Sequence, residues 1–120
     1  MAWFKQRINT QAEGALGESK ALHFLQQQGL SLVAQNWRCK GGEIDLVMQD
    51  GHITVFVEVR QRKNAAFGGA LASLSSKKQQ SMRHAAAMYL ATHEVKGPCR
   101  IDALLLEGNE APLWLKNILD

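Results

Sequence analysis

Apolar residues along the chain recur in two rhythms, one of roughly 3.6 residues and one of two, and their order outlines a fold. Helical spacing runs from about Thr10 to Gln28. Thr10 is placed to cap that helix, Glu13 completes a capping box, and Gly29 supplies the stop. A short strand is expected over Leu32–Asn36, then a loop Arg38-Cys39-Lys40-Gly41-Gly42 and a second strand over Glu43–Met48. Asp50-Gly51 is a hairpin signal that joins this strand to a third, Ile53–Val59. Asn64–Leu74 is rich in Ala, Gly and Ser and reads as a long mobile loop, with outer limits near 61 and 75. Ser75 or Ser76 then caps a second helix, whose buried stripe is Met82, Ala85, Ala86 and Tyr89. Gly97-Pro98 breaks the chain before a strand over Arg100–Leu106, and a last strand over Pro112–Leu115 follows the Gly108-Asn109 turn. The order α-β-β-β-α-β-β, without internal repeat, predicts an α/β fold with a central mixed sheet flanked by helices.

Three acidic residues interrupt this pattern. With about 100° per helical residue, Glu18 shares a face with Ala15, Leu22 and Leu25 and is expected in the middle of the apolar stripe. A buried carboxylate there calls for a salt bridge, a proton or a metal ion. Alternation on the third strand puts Val55, Val57 and Val59 on one side and Phe56, Glu58 and Arg60 on the other. On the second strand it pairs Glu43 with Asp45 on one face and Ile44 with Leu46 on the opposite one. Hairpin pairing then brings Asp45 and Glu58 together. Two carboxylates with backbone or water oxygens suit Mg²⁺ or Mn²⁺; the alternative is a cross-strand ionic network in which Arg60 neutralises either carboxylate.

A length of 120 residues fits one domain, 1–120, with a core that needs no staples. The net charge of +3 says little, but its distribution says more. No acidic residue lies between Glu58 and Glu94, whereas Arg60, Arg62, Lys63, Lys77, Lys78 and Arg83 all do. Such a stretch suits either a phosphate-facing surface or a solvated basic face. Cys39 and Cys99 match no zinc spacing and fit a reducing compartment. With neither a signal peptide nor a membrane span in view, the expectation is a cytoplasmic protein without a membrane partner. His23, His52, His84 and His93 are assigned to surface or structure, Arg100 and Asp102 to mutual pairing or contact with neighbours; Trp3, Trp37 and Trp114 stay open between core, interface and base stacking.

The segments GALGESKALHFLQQQGL, NWRCKGGEIDLVMQDGHITVFVEVRQR, SKKQQSMRHAAAMYL and CRIDALLL resemble the YraN-like family of uncharacterised bacterial proteins. The resemblance spans nearly the whole chain, and the ordered run of GE, GEIDLV and FVEVR carries it. It implies a restriction-endonuclease-like fold, related to that of archaeal Holliday-junction resolvases. In the wider nuclease pattern, one acidic residue is followed by a second, then an intervening residue and a lysine. Asp45 takes the first position, Glu58-Val59-Arg60 the second, and Glu18 matches the helical glutamate of the resolvase-like members. The lysine is Arg60 here, and arginine stays charged and cannot accept a proton.

The resemblance therefore implies catalytic roles for Glu18, Asp45, Glu58 and Arg60. Asp45, Glu58 and the carbonyl of Val59 would hold Mg²⁺ or Mn²⁺, while Arg62, Lys63, Lys77, Lys78 and Arg83 would bind nucleic acid. The expected activity is a metal-dependent nuclease acting on DNA, branched DNA included. The alternative is a nucleic-acid-binding or scaffold module that kept the fold and lost turnover. RNA as a ligand and a homodimer as the assembly stay open.

Overall fold

The structure, a computed structural model, describes residues 16–62, 74–108 and 110–119. The expected Thr10 cap, Glu13 and most of the Asn64–Leu74 loop lie outside the described residues. Helix α1 covers 16–27. It stops where expected: Gly29 has φ 96, and the N–H groups of Gly29 and Leu30 donate to the carbonyls of Gln26 (3.0 Å) and Leu25 (3.1 Å). These bonds satisfy carbonyls that the helix end leaves unpaired.

Five strands follow, β1 (Ser31–Cys39), β2 (Gly42–Asp50), β3 (Ile53–Arg62), β4 (Cys99–Glu107) and β5 (Leu113–Leu115), with α2 (Ser76–Thr92) between β3 and β4. They form one mixed sheet in the order β1-β2-β3-β4-β5. Only β3 and β4 are parallel, and α2 makes the crossover that such a pair requires. The α/β element order and the mixed sheet of the restriction-endonuclease-like expectation are both present.

Two strand ends lie three residues beyond the sequence expectation, those of β1 and β3. The loop expected over Arg38–Gly42 shrinks to Lys40-Gly41, because Cys39 pairs with Gly42 and extends β1. Gly42 also lets this hairpin press on α2: a Cβ there would lie 2.7 Å from the Ser81 carbonyl. Ser81 Oγ donates to the Gly41 carbonyl at 3.1 Å across the same contact. Strand β3 runs past Val59 to Arg62 because β4 offers it a partner throughout, ending at Arg62↔Glu107. Toward the other end of the expected loop, Leu74 is buried and Ser75 is the N-cap of α2, its side chain accepting the Lys78 N–H.

Each helix seals one face of the sheet. Ala21, Leu25 and Leu30 pack with Leu46, Met48, Val55, Val57 and Leu104. Met82, Ala85, Ala86 and Tyr89, the predicted stripe of α2, pack on the other face with Ile44, Val47, Phe56 and Ile101. Burying such side chains, at roughly 1.5–3 kcal/mol each, holds the three layers together. The predicted Arg100–Asp102 pairing is present, with Arg100 Nε 3.1 Å from Asp102 Oδ1. Asp102 is fully buried and also accepts from Trp114 Nε1 and the Asn117 N–H, both at 2.9 Å, so it ties the last strand to β4. Trp37 lies edge-on to Tyr89, against the α2 core. All four histidines are exposed and Cys39 and Cys99 are free thiols. No helix of the described residues is long and apolar enough to cross a membrane.

Candidate functional site

Asp45 and Glu58 sit where the sheet's regularity breaks. The β2–β3 ladder runs from Asp50↔Ile53 to Leu46↔Val57 and stops there. One step further in the same register sets Asp45 opposite Glu58. Instead of continuing the ladder, Asp45 Oδ2 accepts the Val59 backbone N–H at 2.9 Å. The expected alternation on β2 fails at this point. Ile44 packs in the α2-side cluster and Leu46 in the α1-side cluster, so they do not share a face. On β1, Ala34 and Trp37 both pack toward α2 although three positions apart, and Asn36 between them has φ 51. Asn36 and Asp45 fall between the paired positions Gln35↔Leu46 and Trp37↔Ile44, so both strands kink at one level.

At this level Asp45 feels the charge of Lys78 on α2, and its own charge acts on Glu18 of α1. Glu18 is half-buried rather than central in the apolar stripe, since the buried positions of α1 are Gly17, Ala21 and Leu25. Burial pushes its carboxyl above the usual range, a hydrogen bond with Asn36 pulls it down, and the Asp45 and Glu43 charges push it up again. Glu18 and Asp45 thus feel each other electrostatically, while Asn36 holds Glu18 in place. Among the described residues no three His, Cys, Asp or Glu side chains gather to hold one ion. The two carboxylates that act on each other most directly are Asp45 and Glu58, and the Asp45 charge also reaches Glu18.

Glu58 is 7% exposed. Its Oε1 lies 3.3 Å from Lys78 Nζ and 3.4 Å from Arg60 Nε. Burial, reinforced by the Asp45 charge, lifts the Glu58 carboxyl from 4.5 to about 7 against the pull of Lys78 and Arg60. Burial likewise raises Asp45, while the Val59 hydrogen bond and the Lys78 and Arg60 charges lower it and Glu43 raises it. Arg60 meets Glu58 as a charge but not as a hydrogen-bond donor: its buried Nε has no hydrogen-bond partner among the described residues. An unpaired buried donor carries a penalty of roughly 1–3 kcal/mol, which an anion or water would relieve.

The remaining predicted residues divide in two. Lys77 and Arg83 are exposed on α2, where solvent or a ligand can reach them. Lys63 lies outside the described residues, and Arg62 is placed only as the end of β3. Lys78 is not a simple surface cation, because it enters the carboxylate site. That placement was legible in the helical period, since Lys78 precedes Met82 by four positions on the buried stripe. Asn36 was the residue missed outright; its one signal is the tolerance of asparagine for left-handed backbone.

A statistical model of the uncharacterised protein family UPF0102 matches residues 17–106, a span that contains Glu18, Asn36, Asp45, Glu58, Arg60 and Lys78. A UPF0102 protein of Janthinobacterium sp. (strain Marseille) is 48% identical over 119 residues, covering 99% of this chain and 96% of its own length. One from Nitrosomonas eutropha is 49% identical over 112 residues, covering 93% and 97%. One from Pseudomonas putida (strain W619) is 50% identical over 113 residues, covering 89% and 92%. The chain belongs to the uncharacterised protein family UPF0102, the YraN-like family whose motifs it carries.

Proposed function

We propose that this protein is a metal-dependent phosphodiesterase acting on DNA, branched forms included, with its chemistry at the β2–β3 break. The observation that carries the reading is the pair Asp45–Glu58, close enough for the Asp45 charge to act on Glu58, with a cation from β3 and a cation from α2 at the same carboxylate. The donor set fits a hard divalent cation: carboxylate oxygens, with the Val59 carbonyl as a further oxygen. Both carboxyls are pushed up by burial, so the site gains from positive charge. Bound there, Mg²⁺ or Mn²⁺ would polarise a phosphate and lower the pKa of a water, which removes the need for a protein base.

The protein's own groups do the positioning. Glu18, hydrogen-bonded to Asn36 and within reach of the Asp45 charge, would orient a water beside Asp45. Arg60 presents forked donors to a phosphate and stabilises charge that grows on it. Lys77 and Arg83, exposed on α2, supply phosphate contacts that set affinity rather than rate.

A second reading, a binding or scaffold module without turnover, is favoured by one observation: Glu58 already carries two cationic partners. Cleavage assays with Mg²⁺ and Mn²⁺ on duplex, single-stranded, flap and four-way-junction DNA, beside calorimetric metal titration, separate the two. Cleavage abolished by Asp45→Asn supports the phosphodiesterase. Metal and DNA binding without cleavage of any form supports the second reading. A wild-type protein that binds neither metal overturns the site.

A further inference from the structure

We infer that Lys78 is a displaceable counter-ion: it neutralises Glu58 while the cation site is empty, and a divalent cation frees it for a nucleic-acid phosphate. This rests on reading Asp45 and Glu58 as cation ligands. Glu58 cannot leave, because it stands on β3, which is hydrogen-bonded to β2 and β4, and its side chain is 8% exposed. The backbone of α2 is equally fixed, by the Ser81–Gly41 hydrogen bond and by the Ser81 carbonyl against Gly42. Arg60 is 30% exposed overall, but its Nε is buried beside the carboxylate it faces, two positions along the same strand. Lys78 differs in its stem and in the element that carries it. It carries one compact charge on a flexible stem, lies in the first turn of α2, and retains 26% exposure.

A dication on Glu58 therefore repels an ammonium 3.3 Å from the same carboxylate, and the ammonium is the partner free to swing away. Next to it in the first turn of α2 is the exposed Lys77, in the acid-free stretch of the chain. Released there, Lys78 adds one positive charge to the surface that meets phosphate. Metal and nucleic acid then bind with positive coupling, and by linkage each strengthens the other. The same lysine would keep metal-free protein from holding DNA at full strength.

Calcium and four-way-junction DNA, the latter titrated over a salt series, test this without turnover; Lys78→Met, which keeps the apolar stem, is compared with Lys78→Ala and with Lys77→Ala. The wild type should bind DNA more tightly with Ca²⁺, with a salt slope steeper by about 0.9, the release expected for one extra phosphate contact. Lys78→Met and Lys78→Ala should lose more DNA affinity with Ca²⁺ than without it and should remove that increment in slope. Without DNA, both should bind Ca²⁺ about tenfold more tightly, since a competing charge is gone. Lys77→Ala should weaken DNA binding equally with and without Ca²⁺. The inference is overturned if the Lys78 variants weaken DNA binding equally in both conditions, if they leave Ca²⁺ affinity unchanged or lower, or if the wild type binds Ca²⁺ but no DNA. A wild type that binds no Ca²⁺ removes instead the two-carboxylate site on which the inference stands.

Discussion

Asp45 and Val59 are joined by a hydrogen bond that replaces a rung of the sheet. The Oδ2 of Asp45 takes the Val59 N–H at 2.9 Å, just beyond the last β2–β3 pair, Leu46↔Val57. An interior backbone donor must find an acceptor, and here a carboxylate on the neighbouring strand serves. The side chain that would hold a cation thus also closes the gap in the ladder. Structural and chemical roles at Asp45 are separable, because an amide oxygen can take the N–H but adds no negative charge.

That separation gives a clean contrast between two variants. Asp45→Asn should fold, keep the bond to Val59 and melt at or above the wild-type temperature, because burial penalises the Asp45 charge. It should also lose Mg²⁺ and Mn²⁺ binding in calorimetry. Asp45→Ala should lose metal binding as well and leave the Val59 donor unpaired, a loss of about 1–3 kcal/mol in urea unfolding. Equal metal affinity in wild type and Asp45→Asn would remove the site.

Asn36 should prove a backbone residue first. Its φ of 51 disfavours a Cβ-branched or plain side chain. Asn36→Ala is expected to lose about 1–2 kcal/mol of stability, while Asn36→Gly should retain most of it. Both lose the hydrogen bond to Glu18, so the two variants should share any functional loss while differing in stability. Identical stability for the two would show that the kink is not held by this residue.

Stability of the metal-free protein should depend on pH through Glu58. Its folded carboxyl, at about 7, lies above the ordinary 4.5, so the native state binds the proton more tightly than the unfolded chain. The stabilisation is fully present below about 4.5 and is lost as pH rises through 7. The difference between wild type and Glu58→Gln in urea unfolding should therefore shift against wild type across that window, by an amount on the order of 1–3 kcal/mol. Divalent cation should reverse the trend, since metal takes the place of the proton. A difference that is flat with pH would mean that Glu58 is not held in a proton-favouring environment.

Element order, the α2 stripe and the Asp45–Glu58 approach were readable because each follows from local period and hairpin register. Asp50-Gly51 sets that register; the two-residue turn Gly51-His52 then brings 45 and 58 to the same level. The faces around Asp45 were not readable by the same rule. Alternation assumes an unbroken pleat, and Asn36 breaks it on β1 while the Val59 bond breaks it on β2. Glu18 was placed too deep for a related reason. The helical period orders residues around an axis, but where the sheet surface ends is set by the kinked strands. The approach of Lys78 to Glu58 was not readable from the charge count, because a count along the sequence does not record which cations face inward.

Arg60 bears most directly on whether the site turns over. It follows Glu58 by two positions on β3, and its Nε stands 3.4 Å from Glu58 Oε1 without hydrogen-bond geometry, buried and unpaired among the described residues. A guanidinium so placed can hold a phosphate at two points and cannot take a proton from water. If the protein is a phosphodiesterase, Arg60 supplies charge to the transition state. Removing it as Arg60→Ala should lower single-turnover cleavage by roughly a hundredfold or more, the scale for one preorganised donor. Arg60→Lys should preserve or raise cleavage, since it keeps the charge on the same strand face and removes the buried, unpaired Nε. Arg60→Ala also takes one cation from Glu58, so its metal affinity should rise even as its rate falls. Opposite movements of those two quantities distinguish lost transition-state charge from a damaged metal site, in which both would fall. The measurement is single-turnover cleavage by the three forms at saturating Mn²⁺, on whichever DNA the wild type binds best, beside metal titration of each. Robust wild-type cleavage that survives Arg60→Ala unchanged would take Arg60 out of the mechanism. Absence of cleavage in wild type and in Arg60→Lys, with DNA affinity reduced only in Arg60→Ala, would leave the residue a phosphate contact of a binding module.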